Sequence, residues 1–146
     1  MRYFEDFRIG DVFELGRRRL TEDEMVSFAR QYDPQPQHVE RSADRPIASG
    51  WQVAATFMRM YVDSVGRESA TDVSPGVEEL RWLRPVRPGD VLVARMTVVG
   101  TSLSLTRPDC GILRQLGELF DDSAAPTMRL MFYVLLRKRP CGSVPP

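Results

Sequence analysis

Asp33 and His38 stand five positions apart in the run DPQPQH, and His38 is the sole histidine of the 146-residue chain. A carboxylate beside an imidazole can take a proton from water and return it elsewhere, because histidine titrates near neutral pH and the carboxylate orients it or shares the work. Pro34 and Pro36 stiffen the run. Downstream, Ser49 and Gly50 open a long apolar stretch that reads as a helix. The first N–H groups of a helix favour negative charge, and a glycine lets a ligand approach them closely. An acid–base pair plus an oxyanion donor is what addition of water to an activated double bond requires. The same residues also have a plainer reading. Asp33 would end a helix because Pro34 biases it away from helical angles, His38 would be a surface loop residue, and Gly50 would start an ordinary core helix.

The elements that must position these residues are organised around Ser49–Val65, SGWQVAATFMRMYVDSV. Its interior polar residues, Gln52, Thr56, Arg59 and Asp63, fall on one narrow stripe, and the rest is apolar. A helix apolar nearly all round is expected to be buried. Ser49 as N-cap, with Gln52 three residues on, predicts a capping box. Upstream, Met1–Gly10 reads as a lead-in anchored by Phe4 and Phe7, and Val12–Leu20 as a first strand. Thr21 and Glu24 predict a second capping box, opening a helix with Met25, Phe28, Ala29 and Tyr32 at helical spacing. Glu40–Pro46 is a short irregular connection.

The second half reads as strands. Val77–Val86 places Leu80, Trp82 and Val86 on one face, and the turn Arg87–Asp90 predicts a hairpin into Val91–Val99. Between Gly111 and Phe120, the apolar residues Ile112, Leu113, Leu116, Leu119 and Phe120 fit a helical period better than a strand. Thr127–Lys138 is a strand apolar on both faces. One face would lie on the central helix, and a partner subunit would cover part of the other. The expected architecture is α+β: an antiparallel sheet curling around one hydrophobic helix.

Composition narrows the function. Basic and acidic residues balance at 20 each, so no field recruits nucleic acid or an anionic membrane. The N-terminal residues lack the apolar core of a signal peptide, and no apolar run approaches the ~20 residues of a membrane span. Cys110 and Cys141 form no metal-ligand spacing. The expectation is a soluble cytoplasmic protein, a single domain over residues 1–146, with no metal and no cofactor.

The run DPQPQH at Asp33–His38, the segment IASGW at Ile47–Trp51 and the stretch SPGVEELRWLRPVRPGD at Ser74–Asp90 together resemble the MaoC-like dehydratases, or R-specific enoyl-CoA hydratases. The likeness continues through RPDCGIL and the strand ending RKRP, so it covers most of the chain. It implies a hot-dog fold, with about five antiparallel strands around the long helix. Asp33 and His38 would be the catalytic dyad. The Gly50 N–H would bind the thioester carbonyl, and Ser49, where many relatives carry histidine, would be a polar neighbour of the substrate. The substrate implied is an enoyl thioester of coenzyme A or an acyl carrier protein, handled by a homodimer without further cofactor. The resemblance also turns Gly111–Phe120 into a strand. Two other readings remain open: a non-catalytic acyl-thioester-binding or assembly subunit of the same fold and, more weakly, a thioesterase.

Overall fold

The computed structural model describes residues 1–140; Cys141 and the end of the expected 1–146 domain lie outside the described residues. The chain starts with a 3-10 turn and strand β1 (Val12–Arg19). Thr21 then sets the start of helix α1 (Glu22–Tyr32): its hydroxyl accepts from the Glu24 N–H at 3.2 Å, and the Glu24 carboxylate accepts from the Thr21 N–H at 2.8 Å. This is the expected capping box. Asp33 leaves helical angles, as a residue before proline should. The DPQPQH run, read as loop, includes one helical turn, α2 (Pro36–Val39), with Pro36 in the first position, where a missing N–H costs nothing.

Helix α3 (Gly50–Ser64) is the long central helix. Strands β2 (Gly76–Trp82), β3 (Val91–Leu103), β4 (Cys110–Phe120) and β5 (Pro126–Arg137) follow it. The sheet order is β1-β3-β4-β5-β2, antiparallel throughout. This five-stranded sheet around a central helix is the hot-dog fold. Among the described residues no helix is long and apolar enough to cross a membrane.

The contact between α3 and the sheet explains why β4 is hard to read. Gly117 lies directly under the Phe57 ring, and a Cβ there would fall 2.7 Å from Cε1 and 2.9 Å from Cε2. Phe57 is fully buried, with Phe132 edge-on at 6.0 Å and Tyr61 at 6.5 Å between ring centroids. The strand has no side chain at that position because the helix supplies one. The missing side chain breaks the period-2 pattern, so the remaining apolar residues imitate a helix; the resemblance gave the right element.

Four other expectations are corrected. The turn at Arg87–Asp90 forms, with the Asp90 carboxylate accepting from the Arg87 N–H at 2.8 Å, but it closes no hairpin. β2 pairs with β5 at one edge of the sheet, and the chain crosses over before β3 pairs with β1 and β4. Strand β2 stops at Trp82, short of Val86. Helix α3 also turns differently from the pattern. Gln52 and Thr56 face inward, while Trp51 is 60% exposed and Met58 and Val62 are open to solvent. The Gln52 Nε2 donates to the Glu24 carbonyl at 3.2 Å and the Thr56 hydroxyl to the Gln52 carbonyl at 2.8 Å, which leaves only the buried Gln52 Oε1 of this pair without a hydrogen-bond partner among the described residues. The predicted Ser49–Gln52 capping box is absent: the Ser49 side chain makes no cap bond to the helix.

Candidate active site

Four predicted site residues come from three segments, and the fold brings them together. Asp33 is the last residue of the α1 turn, its N–H donating to the Ala29 carbonyl at 2.8 Å. His38 lies on α2 and is buried. Ser49 and Gly50 start α3. The carbonyl of Ile47, just before them, sits 2.9 Å from His38 Nδ1. A carbonyl oxygen only accepts, so Nδ1 carries the hydrogen, and whenever the ring is neutral its lone pair lies on Nε2. That nitrogen lies 3.4 Å from Asp33 Oδ2. Backbone chemistry thus fixes the tautomer and aims the basic nitrogen at the carboxylate.

Both Asp33 oxygens are engaged. The Ser49 hydroxyl donates to Oδ2 at 2.7 Å and the Gln35 amide to Oδ1 at 2.6 Å. These bonds, Ser49 first and Gln35 next, hold the Asp33 carboxyl below the usual carboxylate range against the opposing effect of desolvation, and His38 adds a smaller electrostatic contribution. Gln35 is held in turn by the Gln37 amide, at 2.9 Å. Ser49 is fully buried. Its hydroxyl therefore meets Asp33 rather than anything in the cavity.

Gly50 is the first residue of α3, so its N–H is one of the donors that no helical carbonyl can reach. The indole of Trp82 packs on the side of Gly50 where a side chain would stand. A Cβ on Gly50 would sit 2.6 Å from Trp82 Cδ2 and 2.8 Å from Nε1, while the indole N–H donates to the Gly50 carbonyl at 2.8 Å. Trp51 meets Trp82 edge-to-face, with ring centroids 5.2 Å apart. Together these groups line an open cavity of about 440 Å³, its far wall formed by Leu83, Arg84, Pro85 and Val86. One side is polar, with a carboxylate, an imidazole nitrogen and a helix N-terminus; the other is largely apolar. Such a cavity can hold a polarised carbonyl at Gly50 and a water at the Asp33–His38 pair. Among the described residues no cluster of three or more His, Cys, Asp or Glu side chains could hold a metal ion.

Sequence reasoning missed three participants. Gln35 lies within the very run that drew attention, and its amide at two residues from Asp33 was the available signal. Trp82 was assigned to the core face of a strand, but it ends β2 and forms the cavity wall. The Ile47 carbonyl carries no side-chain signal.

The family model described as the MaoC like domain matches residues 6–112, well over half of the chain. The uncharacterized protein YdeM of Bacillus subtilis (strain 168) is 26% identical over 142 residues, which are 92% of this chain and 98% of that protein. Among solved structures, the MaoC-like dehydratase from Rhodospirillum rubrum is 32% identical, with a TM-score of 0.85 over 96% of this chain and 99% of that one. The R-hydratase PhaJ1 from Pseudomonas aeruginosa shares the fold at 18% identity, with a TM-score of 0.73 over 99% of this chain and 94% of that one.

Proposed function

This chain belongs to the MaoC-like domain family, and on that premise we propose that it adds water to, or removes it from, the double bond of an enoyl thioester carried by coenzyme A or an acyl carrier protein. The observation that carries the reading is that Asp33, His38 and Gly50, the first residue of α3, line one cavity together with apolar side chains. It is supported by relatives of the same fold that are named as a dehydratase and an R-hydratase.

The thioester carbonyl oxygen would accept from the Gly50 N–H, with the dipole of α3 behind it. Water held between Asp33 and His38 loses a proton to that pair as its oxygen bonds to the β-carbon. The π electrons move to the thioester oxygen as an enolate. The enolate collapses, the α-carbon takes a proton from the pair, and no net proton is consumed. Delivery from one side gives syn addition. Dehydration runs the same steps backward. Gly50 must lack a side chain because Trp82 occupies the space.

A second copy of the chain is the partner we assign. Trp51, Met58 and Val62 on α3, and Val77, Trp82 and Leu83 on and after β2, are large apolar side chains open to solvent, and β2 has a free edge. A homodimer covering both would bury area in or above the standard ~1,600 Å² range. The test is hydration of trans-2-butenoyl-CoA and longer enoyl-CoAs, followed by loss of the conjugated double bond with free thiol measured in parallel. Loss of the double bond that disappears in Asp33→Asn supports the hydratase. Thiol release without hydration would point to a thioesterase. Thioester binding without turnover in a folded protein would point to a binding subunit.

A further inference from the structure

Positive and negative charges balance over the chain but not along the rim of the cavity. Elsewhere arginines are engaged by carboxylates: Arg41, Arg45, Arg114 and Arg139 each donate to one within hydrogen-bond distance. Arg84 and Arg87 are not. Arg84 lines the same cavity as Gly50, its side chain 56% exposed, and the carboxylate facing it, Asp121, stands 3.8 Å away, too far for a hydrogen bond. Asp121 is held by its own loop, its Oδ1 accepting from the Ser123 N–H at 2.9 Å, the Ser123 hydroxyl at 2.7 Å and the Ala125 N–H at 3.0 Å. The exposed Arg87 side chain donates to a neutral partner, the Asp44 carbonyl, at 2.8 Å, while the Asp90 carboxylate takes the Arg87 backbone N–H. Among the described residues neither guanidinium donates to a carboxylate. The backbone that carries them is pinned. The Leu83 N–H donates to the Thr127 carbonyl at 2.9 Å, the Val86 carbonyl accepts from the Ala48 N–H at 2.8 Å, and the Gly89 N–H donates to the Leu20 carbonyl at 3.1 Å. Pro85 and Pro88 remove further freedom. Arg84 thus lines the cavity and Arg87 the hollow beside it, with Pro46 and Pro88, and at most about 11 Å of chain separates the two.

We propose that Arg84 and Arg87 seat the phosphate of the pantetheine arm on which the acyl thioester is carried. The inference rests on the proposed hydratase reading and adds recognition of the carrier to it. Pantetheine itself is uncharged, with two amides and a hydroxyl between its sulfur and the phosphate. The phosphate is therefore the first charge met along the arm as it leaves a thioester held at Gly50. A planar guanidinium with N–H groups to offer pairs two phosphate oxygens at once. Two such groups on a backbone already ordered bind an anion without first breaking a hydrogen-bonded salt bridge. The same phosphate belongs to coenzyme A and to the arm of an acyl carrier protein, and both would meet the pair by the same chemistry.

The test compares the trans-2-butenoyl thioesters of pantetheine, coenzyme A and an acyl carrier protein, in the full-length parent and in Arg84→Gln, Arg87→Gln and the double variant. Both side chains are exposed, and melting curves check that the variants fold. The readout is the ratio of kcat/KM for a phosphate-bearing thioester to kcat/KM for the pantetheine thioester, in which effects on the chemistry itself cancel. Each substitution should lower that ratio about tenfold, the strength of one hydrogen bond to a charged group, through KM rather than kcat. Of the two phosphate-bearing thioesters, the one with the higher ratio in the parent, lost in the variants, identifies the source of the phosphate that the pair reads. Parental ratios in both single variants and the double variant overturn the inference, as does a parent that handles pantetheine and phosphate-bearing thioesters alike. Failure of the hydratase reading looks different: the parent then hydrates none of the three. Calorimetric binding of the saturated butanoyl thioesters needs no turnover, and tighter binding of the phosphate-bearing ones that is lost in the variants would still uphold the phosphate seat, while equal binding would overturn it.

Discussion

Replacing Gly117 with alanine sets two effects of opposite sign against each other. In an isolated strand alanine is favoured over glycine by about 0.5–1 kcal/mol, because glycine loses more freedom on folding. In this fold the added methyl meets the Phe57 ring, 2.7 Å from Cε1 and 2.9 Å from Cε2. The ring has nowhere to go: Phe57 is fully buried, with Tyr61 stacked on it and Phe132 edge-on. Overfilling a packed core costs about 1–3 kcal/mol. The collision wins, and Gly117→Ala should lose about 1–2 kcal/mol net. At about 2–4 °C per kcal/mol for a chain of this size, the melting temperature should fall by roughly 2–8 °C. Urea and thermal denaturation of the variant, of Phe57→Leu and of the double variant form the assay. In the Phe57→Leu background the alanine should cost about 1 kcal/mol less, because the two positions share one space. A Gly117→Ala protein as stable as its parent would refute the account of why β4 carries a glycine beneath α3.

Asp33→Asn and His38→Ala should each lower hydration by about 10²–10⁴-fold, the worth of a general acid–base group. If they act on one water, the double variant should be scarcely slower than either single variant in steady-state kinetics. Glu78 accepts two bonds from Arg114 and one from Tyr133, each at 2.7 Å, and these pull its carboxyl from the usual 4.5 to about 2. Its contribution to stability is therefore complete above about pH 4.5 and is lost as pH falls toward 2; Glu78→Gln should lower stability at neutral pH and flatten the acidic part of a stability-against-pH curve. Thr21→Ala removes the α1 cap and should cost about 1 kcal/mol in denaturant melts without changing the Asp33 titration. Sedimentation at micromolar concentration should give a dimer, and Met58→Glu, placed on the exposed face of α3, should shift it to monomer.

Legibility followed the range of the interaction. The capping box at Thr21, the end of α1 before Pro34 and the outlines of β1, β3 and β5 are local, and each was readable from residues within a few positions. The role of Ser49 was not, because its hydroxyl chooses between a neighbouring helix end and a carboxylate 16 positions back, and only packing decides. Gly117 misled for the same reason: the side chain that completes its face belongs to Phe57 on another element. The exposed Trp51 and buried Gln52 invert a simple polarity rule, since α1 offers the Glu24 carbonyl to one and nothing to the other. The turn at Arg87–Asp90 was correctly seen and wrongly connected, because a turn states that the chain bends and leaves open which strand it will find.

The crossover between β2 and β3 has a consequence for the order in which the molecule can be completed. β2 has its sheet partner in β5, with Gly76 opposite Tyr133 and Trp82 opposite Met128. The wall of the cavity over Gly50 is therefore anchored by residues synthesised well after it. While the ribosome is still adding β3 and β4, α1 and the start of α3 can already meet, yet Trp82 has no ladder to hold it. Pairings across such separations close slowly, because the intervening loop must be ordered first. A nascent chain would thus expose the apolar face of α3 and the unpaired β2 until its last strand arrives, and the interval before that arrival is when aggregation threatens most.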